Sequence, residues 1–526
     1  MMAGSNPIAV AHLPNIFLGL WIVGNTNERP MGTHFYCIPL TLAGALMGEF
    51  GVSAQDWRTV DDFALPGADA EAHGVAVDAA GRVYVVGTAN GHAIVRYSGD
   101  GGANWSTRAD FVYPPGTNNA AGTNNLFNAI TINQQGDLYV GGASAAFVGG
   151  VNAGRWIVRR SRDQGISWET VDDYWQPRIG PEQGTNGAVY SLSTDGQGRV
   201  YGTGLMLPTG PSYLRWWVRG SDIGGTNWNT KLVLFSGYAG VSQLTWAGED
   251  VYVTGSASDS VTTTGLMLRS SDFGATWSTN FEATSENYPA MTSDSPGNIY
   301  ATGNRSSSNS YDWVVRKATP GGTNWTVLDT VPYGDLSQSG NQQANPKSIA
   351  VDAAGDVLVV GQLITRWIIS ATNGTTYGVN QNWFTRQYSV ASRQWKTTDV
   401  FGYSTNATSS TNTHAIAMAT AIALDRSAFV VGYGTTESGQ RRWVVRKGSA
   451  FMAPPRLQIA VAGGAIAVSW PAAYTNSVLE WTDSPGVNEV WQVCPETVSK
   501  VAGQNTVTCE ARSGARFFRL RSVAGE

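Results

Sequence analysis

One short element recurs seven times and limits what this chain can fold into. It runs apolar strand, tight turn, apolar strand, glycine. The copies are VAVDAAGRVYVVG (75–87), ITINQQGDLYVGG (130–142), LSTDGQGRVYGTG (192–204), LTWAGEDVYVTG (244–255), MTSDSPGNIYATG (291–303), IAVDAAGDVLVVG (349–361) and IALDRSAFVVGYG (422–434). An Asp at the turn start bonds its own backbone two residues on, and a following Gly supplies the positive φ. Apolar alternation on both sides marks two antiparallel strands, so each copy is a hairpin. A fixed period of this kind is the signature of a repeat architecture.

A second hairpin follows each copy. It reads W-x-V-R, a polar turn, then Trp, most plainly in WIVRRSRDQGISWETVDDY (156–174). The twelve-residue spacing of Trp156 and Trp168 recurs as Trp216 to Trp228, Trp313 to Trp325 and Trp383 to Trp395. Two hairpins make one four-stranded sheet, and seven such sheets in series suit an all-β, seven-bladed β-propeller. Neighbouring blades bury the faces that one sheet cannot bury alone. The seventh copy ends at WVVRKGSAF (443–451) without a fourth strand, whereas QDWRTVDDF (55–63) matches the fourth strands SWETVDDY (167–174) and NWTVLDTV (324–331). The sequence therefore predicts that the N-terminal strand closes the last blade and removes an exposed edge.

The second hairpin resembles the Asp-box, or BNR repeat, of sialidase-like propellers, Ser/Thr-x-Asp-x-Gly-x-x-Trp. Full matches are Ser98, Asp100, Gly102, Trp105; Ser161, Asp163, Gly165, Trp168; and Ser270, Asp272, Gly274, Trp277. SDIGGTNW (221–228) is shifted by one residue, and Pro320 replaces the Asp in ATPGGTNW (318–325). The first hairpin resembles the propeller repeat D-x-x-G-N-x-Y-V-x-G of secreted bacterial proteins. The resemblance covers residues 55–451 and implies a structural role for the box, with the Asp accepting backbone N–H bonds and the Trp packing in the blade. The regular Arg of W-x-V-R (Arg96, Arg159, Arg219, Arg316, Arg386, Arg446) is read as a ladder paired to acids of adjacent strands or blades.

In a four-stranded blade the turns joining strands one to two and three to four share one end. Here they are short. The other connections, 304–312 and 362–381 among them, are read as long loops that gather at the opposite end, which makes that rim the expected binding face. It offers Trp175, Arg178, Glu182, Tyr213, Arg215, Tyr311, Asp312, Arg366, Trp367, Glu437 and Arg441. Aromatic rings beside Arg and acids can hold a sugar or a peptide.

The resemblance also implies what a sialidase-like enzyme would need: three Arg for a substrate carboxylate, a Tyr–Glu nucleophile pair and an Asp acid/base. The family's Arg-Ile-Pro motif is missing; PRIGP (177–181) has Gly in the Pro position, so the Arg triad is not carried over. The reading is a non-enzymatic scaffold that binds an extracellular glycan or protein. The alternatives are a sialidase-like glycoside hydrolase and a structural cell-surface protein. No cofactor is implied. Five His without close pairing give no zinc pattern. A net charge of −5 without basic clusters argues against nucleic acid.

The ends of the chain differ from the repeats. From Met31, a possible true start, the apolar stretch 36–47 and the small residues Val52 and Ala54 read as a secretory leader cleaved after Ala54. Residues 1–54 are therefore the expected leader, with no integral membrane span after its removal, and the mature protein is expected outside the cell or in the periplasm. Residues 452–458 read as a linker, and 459–526 as short strands of a β-sandwich module loosely similar to fibronectin type III. Cys494 and Cys509 fall on two of those strands and could be bridged.

Overall fold

The computed structural model describes residues 17–18, 22–23, 57–114, 124–148, 151–175, 186–207, 215–235, 238–258, 263–306, 311–331, 343–370, 376–390, 393–403, 414–448, 457–462, 465–471, 477–483, 491–501, 504–510 and 515–522. All of its regular elements are strands. The chain divides into two units, one holding residues 55–389 and 395–451, the other the chain ends and a short internal piece.

In the larger unit the strands fall into antiparallel sets of four. Sheet 1 is Ala70–Val77, Val83–Ala89, His92–Ser98 and Ser106–Phe111. Sheet 2 is Asn125–Ile132, Leu138–Val148, Val151–Ser161 and Glu169–Tyr174; sheet 3 is Asn186–Thr194, Val200–Leu207, Arg215–Gly220 and Asn229–Phe235. Sheet 4 is Tyr238–Ala247, Asp250–Ser258, Thr263–Ser270 and Ser278–Thr284. Sheet 5 is Glu286–Ser293, Ile299–Ser306, Tyr311–Thr319 and Thr323–Val331; sheet 6 is Gln343–Val351, Val357–Ser370, Thr376–Ser389 and Gln394–Phe401. Sheet 7 takes Ala415–Ile422, Ala428–Thr435 and Arg441–Gly448 from the end of the repeats, and its fourth strand, Arg58–Phe63, from their beginning. Single parallel bridges, Gly154 to Asn186 and Tyr311 to Gln343, join sheets 2 and 3 and sheets 5 and 6. The first strand of each sheet touches that of the next, and Ala415–Ile422 returns to Ala70–Val77.

The W-x-V-R element explains how the sheets adhere. Successive strand residues point to opposite faces, so a Trp and an Arg three apart face opposite neighbours. Trp156, Trp216, Trp313, Trp383 and Trp443 are fully buried. Each packs forward: Trp156 among Val189 and Val200 of sheet 3, Trp313 among Ala344 and Val357 of sheet 6, Trp443 among Ala70 and Val83 of sheet 1. At roughly 25 cal/mol per Å² over about 200 Å², each indole contributes about 5 kcal/mol as an upper bound. A glycine recurs in the second strand of every sheet. A Cβ on Gly142 or Gly432 would collide with the carbonyl oxygen of Leu126 or Ile416, and the same approach recurs at Gly87, Gly204, Gly303 and Gly361. Indoles lie against three of these positions from the preceding sheet: Trp443 at Gly87, Trp156 at Gly204 and Trp383 at Gly432.

The Arg reaches backward to the preceding sheet. Arg96 grips Asp61 with two hydrogen bonds (2.9 and 2.6 Å), Arg219 grips Asp172 (2.7 and 2.8 Å), Arg386 grips Asp329 (2.8 and 3.1 Å) and Arg446 grips Asp399 (2.7 and 2.9 Å). Three rungs differ. Ala109 takes the position of Asp172, so Arg159 stacks over Phe111 (4.3 Å) and donates to the Trp168 carbonyl (3.0 Å), while its buried Nε finds no partner among the described residues. Burial alone lowers the pKa of Arg159. Leu268 replaces the Arg in sheet 4 and belongs to the same apolar cluster as Leu232, which replaces the Asp. Phe281 takes the Asp position before sheet 5, and Arg316 turns to Glu286 within its own sheet.

Every first strand carries a register shift at the same place. The extra residue is His73, Asn128, Tyr190, Ser242, Lys347 or Met418, and in sheet 5 the pair Tyr288 and Pro289. Bulges re-aim side chains, and these stand in the innermost strands. Tyr190 is exposed although Val189 and Ser191 are buried.

In the other unit, Gln458–Ala462, Ala465–Pro471, Gln504–Glu510 and Ser499–Val501 make one sheet. Ala515–Ser522, Ser477–Thr482 and Gln492–Val493 make a second, to which Phe17–Leu18 and Ile22–Val23 add. Both sheets feed one core, with Val468, Trp470 and Val507 from the first and Leu479, Phe518 and Leu520 from the second. Residues 31–54 of the expected leader, and Cys37 with them, lie outside the described residues.

Candidate functional site

The Ser-x-Asp-x-Gly-x-x-Trp turns are consumed by their own hydrogen bonds. Asp163 Oδ1 accepts from the Ser167 N–H (2.8 Å) and the Ser161 hydroxyl (2.8 Å), Ser161 Oγ accepts from the Gly165 N–H (2.8 Å), and the Trp168 indole donates to the Gly165 carbonyl (2.9 Å). The same set recurs around Asp100 and Asp272. Hydrogen bonds led by those from Ser167 and Thr276 hold Asp163 and Asp272 down to about 2. Their acceptor capacity serves the turn.

The opposite end collects cations, acids and rings. At sheet 2, Arg155 Nε donates to Asp173 Oδ1 (2.6 Å), and the Tyr113 hydroxyl donates to Asp173 Oδ2 (2.8 Å). The Arg155 guanidinium lies 5.3 Å from the Tyr113 ring and 5.7 Å from the Trp175 ring. Burial, then the bond to Asp173, pushes the Tyr113 phenol up to about 12. A sister arrangement stands at sheet 7, where Arg442 and the Tyr403 hydroxyl both bond Asp62 (2.6 and 2.7 Å).

Between sheets 7 and 1, Glu71 accepts from Arg441 and lies 3.3 Å from His73 Nε2. The Arg441 N–H donates to Asp69 (2.9 Å), and its guanidinium lies 5.4 Å from the Tyr433 ring. Burial raises the Glu71 carboxyl, but the bonds from His73 and Arg441 outweigh it and hold the group below its ordinary value. At sheet 5, Glu286 binds Arg305 (2.8 Å), Arg316 (2.9 Å) and the Tyr288 hydroxyl. Here a Tyr and a Glu do meet beside two Arg. Burial and the Glu286 charge push the Tyr288 phenol far above its ordinary value, the opposite of what a nucleophile needs. Arg316 also donates to the Tyr288 hydroxyl (2.6 Å).

Of the rim residues expected from sequence, Trp175 joins the Arg155 group and Arg441 the Glu71 group. Asp312 pairs in register with Arg305 on neighbouring strands, and Glu437 sits in the exposed turn between Ala428–Thr435 and Arg441–Gly448. Arg178, Glu182 and Tyr213 lie outside the described residues, as do the side chains of Arg215, Tyr311, Arg366 and Trp367. One expectation is corrected. The stretch 362–381, read as a loop, is mostly ladder, because Val357–Ser370 and Thr376–Ser389 pair from Val357↔Tyr388 to Ser370↔Thr376. Its β-branched runs on either side of Asn373-Gly374 carried that signal. Tyr311 and Asp312 are likewise strand residues. Sequence reasoning missed Arg155, Asp173, Glu71, His73 and the Glu286 group. Only Asp173 carried a repeated cue, as the second acid of VDDY and VDDF.

Comparison with known proteins adds the repeat. The model of the SBBP β-propeller repeat matches residues 63–92. Among curated proteins none matches. Similar solved structures include a protein of unknown function from Dyadobacter fermentans, 14% identical over 75% of this chain and 99% of that one, with a TM-score of 0.38. YCF48 from Cyanidioschyzon merolae is 13% identical over 75% and 98%, with a TM-score of 0.41. The GH93 α-L-arabinofuranosidase of Fusarium graminearum, solved with arabinobiose, is 12% identical over 64% and 96%, with a TM-score of 0.36. Such likenesses carry nothing about chemistry. The chain's own four-stranded sheets and the matched repeat make the larger unit a β-propeller.

Proposed function

We propose that this is an exported, non-enzymatic propeller of seven blades, closed by Arg58–Phe63 and followed by a β-sandwich module, that binds an extracellular glycan at its long-connection end. The cycle of first-strand contacts and the pairing of Arg58–Phe63 with Arg441–Gly448 support the closed ring. The observation that carries the binding reading is the Arg155 group. Trp175 and Tyr113 offer flat apolar faces, and Arg155 and Asp173 offer charged hydrogen-bonding partners within one span. Sugars present alternating C–H faces and hydroxyls, which such a surface matches.

The chain from Gln55 onward is screened on a glycan array, and binders are quantified by calorimetry. Trp175→Ala is expected to weaken binding about 5- to 30-fold, the loss of about 1–2 kcal/mol typical of an aromatic contact. An array without any binder, or a binder indifferent to both Trp175→Ala and Arg155→Met, would refute the reading. A protein ligand captured through the same residues would replace the glycan.

A further inference from the structure

We propose that Cys494, Glu496 and Cys509 form a binding site for a thiophilic divalent cation such as Zn²⁺. Both thiols are free and buried. Their sulfurs and a Glu496 carboxylate oxygen all lie within 4.8 Å of one another. The cysteines come from different sheets. Cys494 follows the edge strand Gln492–Val493 and is fixed by its N–H bond to the Leu479 carbonyl (2.9 Å), whereas Cys509 lies in Gln504–Glu510 opposite Ile466. A cation there would tie the two sheets across their shared core.

The geometry admits a cation, and polar accounting favours one over a sulfur–sulfur bond. Tetrahedral zinc with Zn–S near 2.3 Å places two sulfurs roughly 3.8 Å apart, inside the observed envelope. A disulfide would satisfy the sulfurs but would remove the Cys509 thiol that bonds Glu496. Its Oε2 is buried and without a partner among the described residues. A buried carboxylate oxygen without a donor is costly, and a cation supplies the missing charge. Two thiolates and one carboxylate against a divalent ion leave a single negative charge. Arg516, stacked over Trp481 at 4.2 Å, is the neighbouring cation. The fourth position is open to water.

Binding converts two thiols to thiolates: two S–H bonds break, two S–metal bonds form, and two protons leave to solvent. Because the ligands must shed these protons, affinity should rise with pH. This inference is independent of the rim reading.

The test is a Co²⁺ titration of the full chain, purified reduced and free of oxygen. Sulfur-to-cobalt charge-transfer absorption should saturate at one equivalent, with release of about two protons per metal near neutral pH, and Zn²⁺ should bleach it. Cys494→Ser and Cys509→Ser should each abolish the band. Glu496→Gln, which leaves the buried thiols untouched, should weaken Co²⁺ at least tenfold. Absence of the band, or a band indifferent to Glu496→Gln, would overturn the site. So would intact-mass and thiol-titration data showing Cys494 and Cys509 bridged in protein recovered from the exporting cell.

Discussion

Ala109→Asp should stabilise the propeller by completing the rung that Arg159 lacks. At four other junctions an Asp in this position takes two bonds from the facing Arg at 2.6–3.1 Å. Arg159 keeps one carbonyl and one ring, and its Nε is buried without a partner among the described residues. An unmet buried donor costs about 1–3 kcal/mol. Against that gain stands the desolvation of a new carboxylate, which raises Asp61, Asp172 and Asp399 even while they are gripped by Arg. The net expectation is about 1 kcal/mol, with coupling of about 1–2 kcal/mol between the two positions. The assay is a double-mutant cycle by urea unfolding: parent, Ala109→Asp, Arg159→Met and the double variant. Ala109→Asp alone should raise the midpoint; with Arg159→Met it should lower it, because the new carboxylate is then buried alone. Equal effects of Ala109→Asp in both backgrounds would refute the rung.

Gly142→Ala should cost on the order of 3 kcal/mol or more by urea unfolding, since its methyl meets the Leu126 carbonyl; a cost under about 1 kcal/mol would show that the strands separate freely. Acid should loosen the Asp-box turns. Asp163 and Asp272 are depressed to about 2, so their contribution is complete above about pH 4 and is lost as pH falls toward 2. The double variant Asp163→Asn/Asp272→Asn should therefore lose less melting temperature than the parent between pH 5 and pH 2.5. Deleting residues 55–63 should leave Arg441–Gly448 as an open edge, read as loss of cooperative unfolding and gain of concentration-dependent association; an unchanged melting curve would contradict closure by this strand.

The parts of the fold legible in the sequence are those the repeat writes more than once. Trp156 and Trp443 announce a third strand, Gly142 marks a second, and the match of residues 56–63 to fourth strands anticipates their pairing with Arg441–Gly448. The bulges left no mark in composition, because His73, Asn128, Tyr190 and Lys347 share a backbone irregularity and no side-chain chemistry. The Glu71 group was illegible for a related reason. It joins residues of adjacent sheets once, as when Glu71 meets Arg441 across 370 positions. Spacing reports what recurs along the chain; the Arg155 group recurs only at Arg442, Tyr403 and Asp62, too seldom to stand out.

The opposed Trp and Arg give each repeat a front and a back. At three junctions an indole thrust forward meets a glycine ahead of it, and at four a cation reaching back meets an acid. Leu232 and Leu268 share one apolar cluster, and every sheet but the fourth carries an Arg where Leu268 stands, so parting sheets 3 and 4 sets Leu232 against an arginine. The order of the modules is thus written at their seams. New chain ends placed between sheets should be tolerated, since every neighbour is kept, whereas exchanging sheet 4 with any other should not.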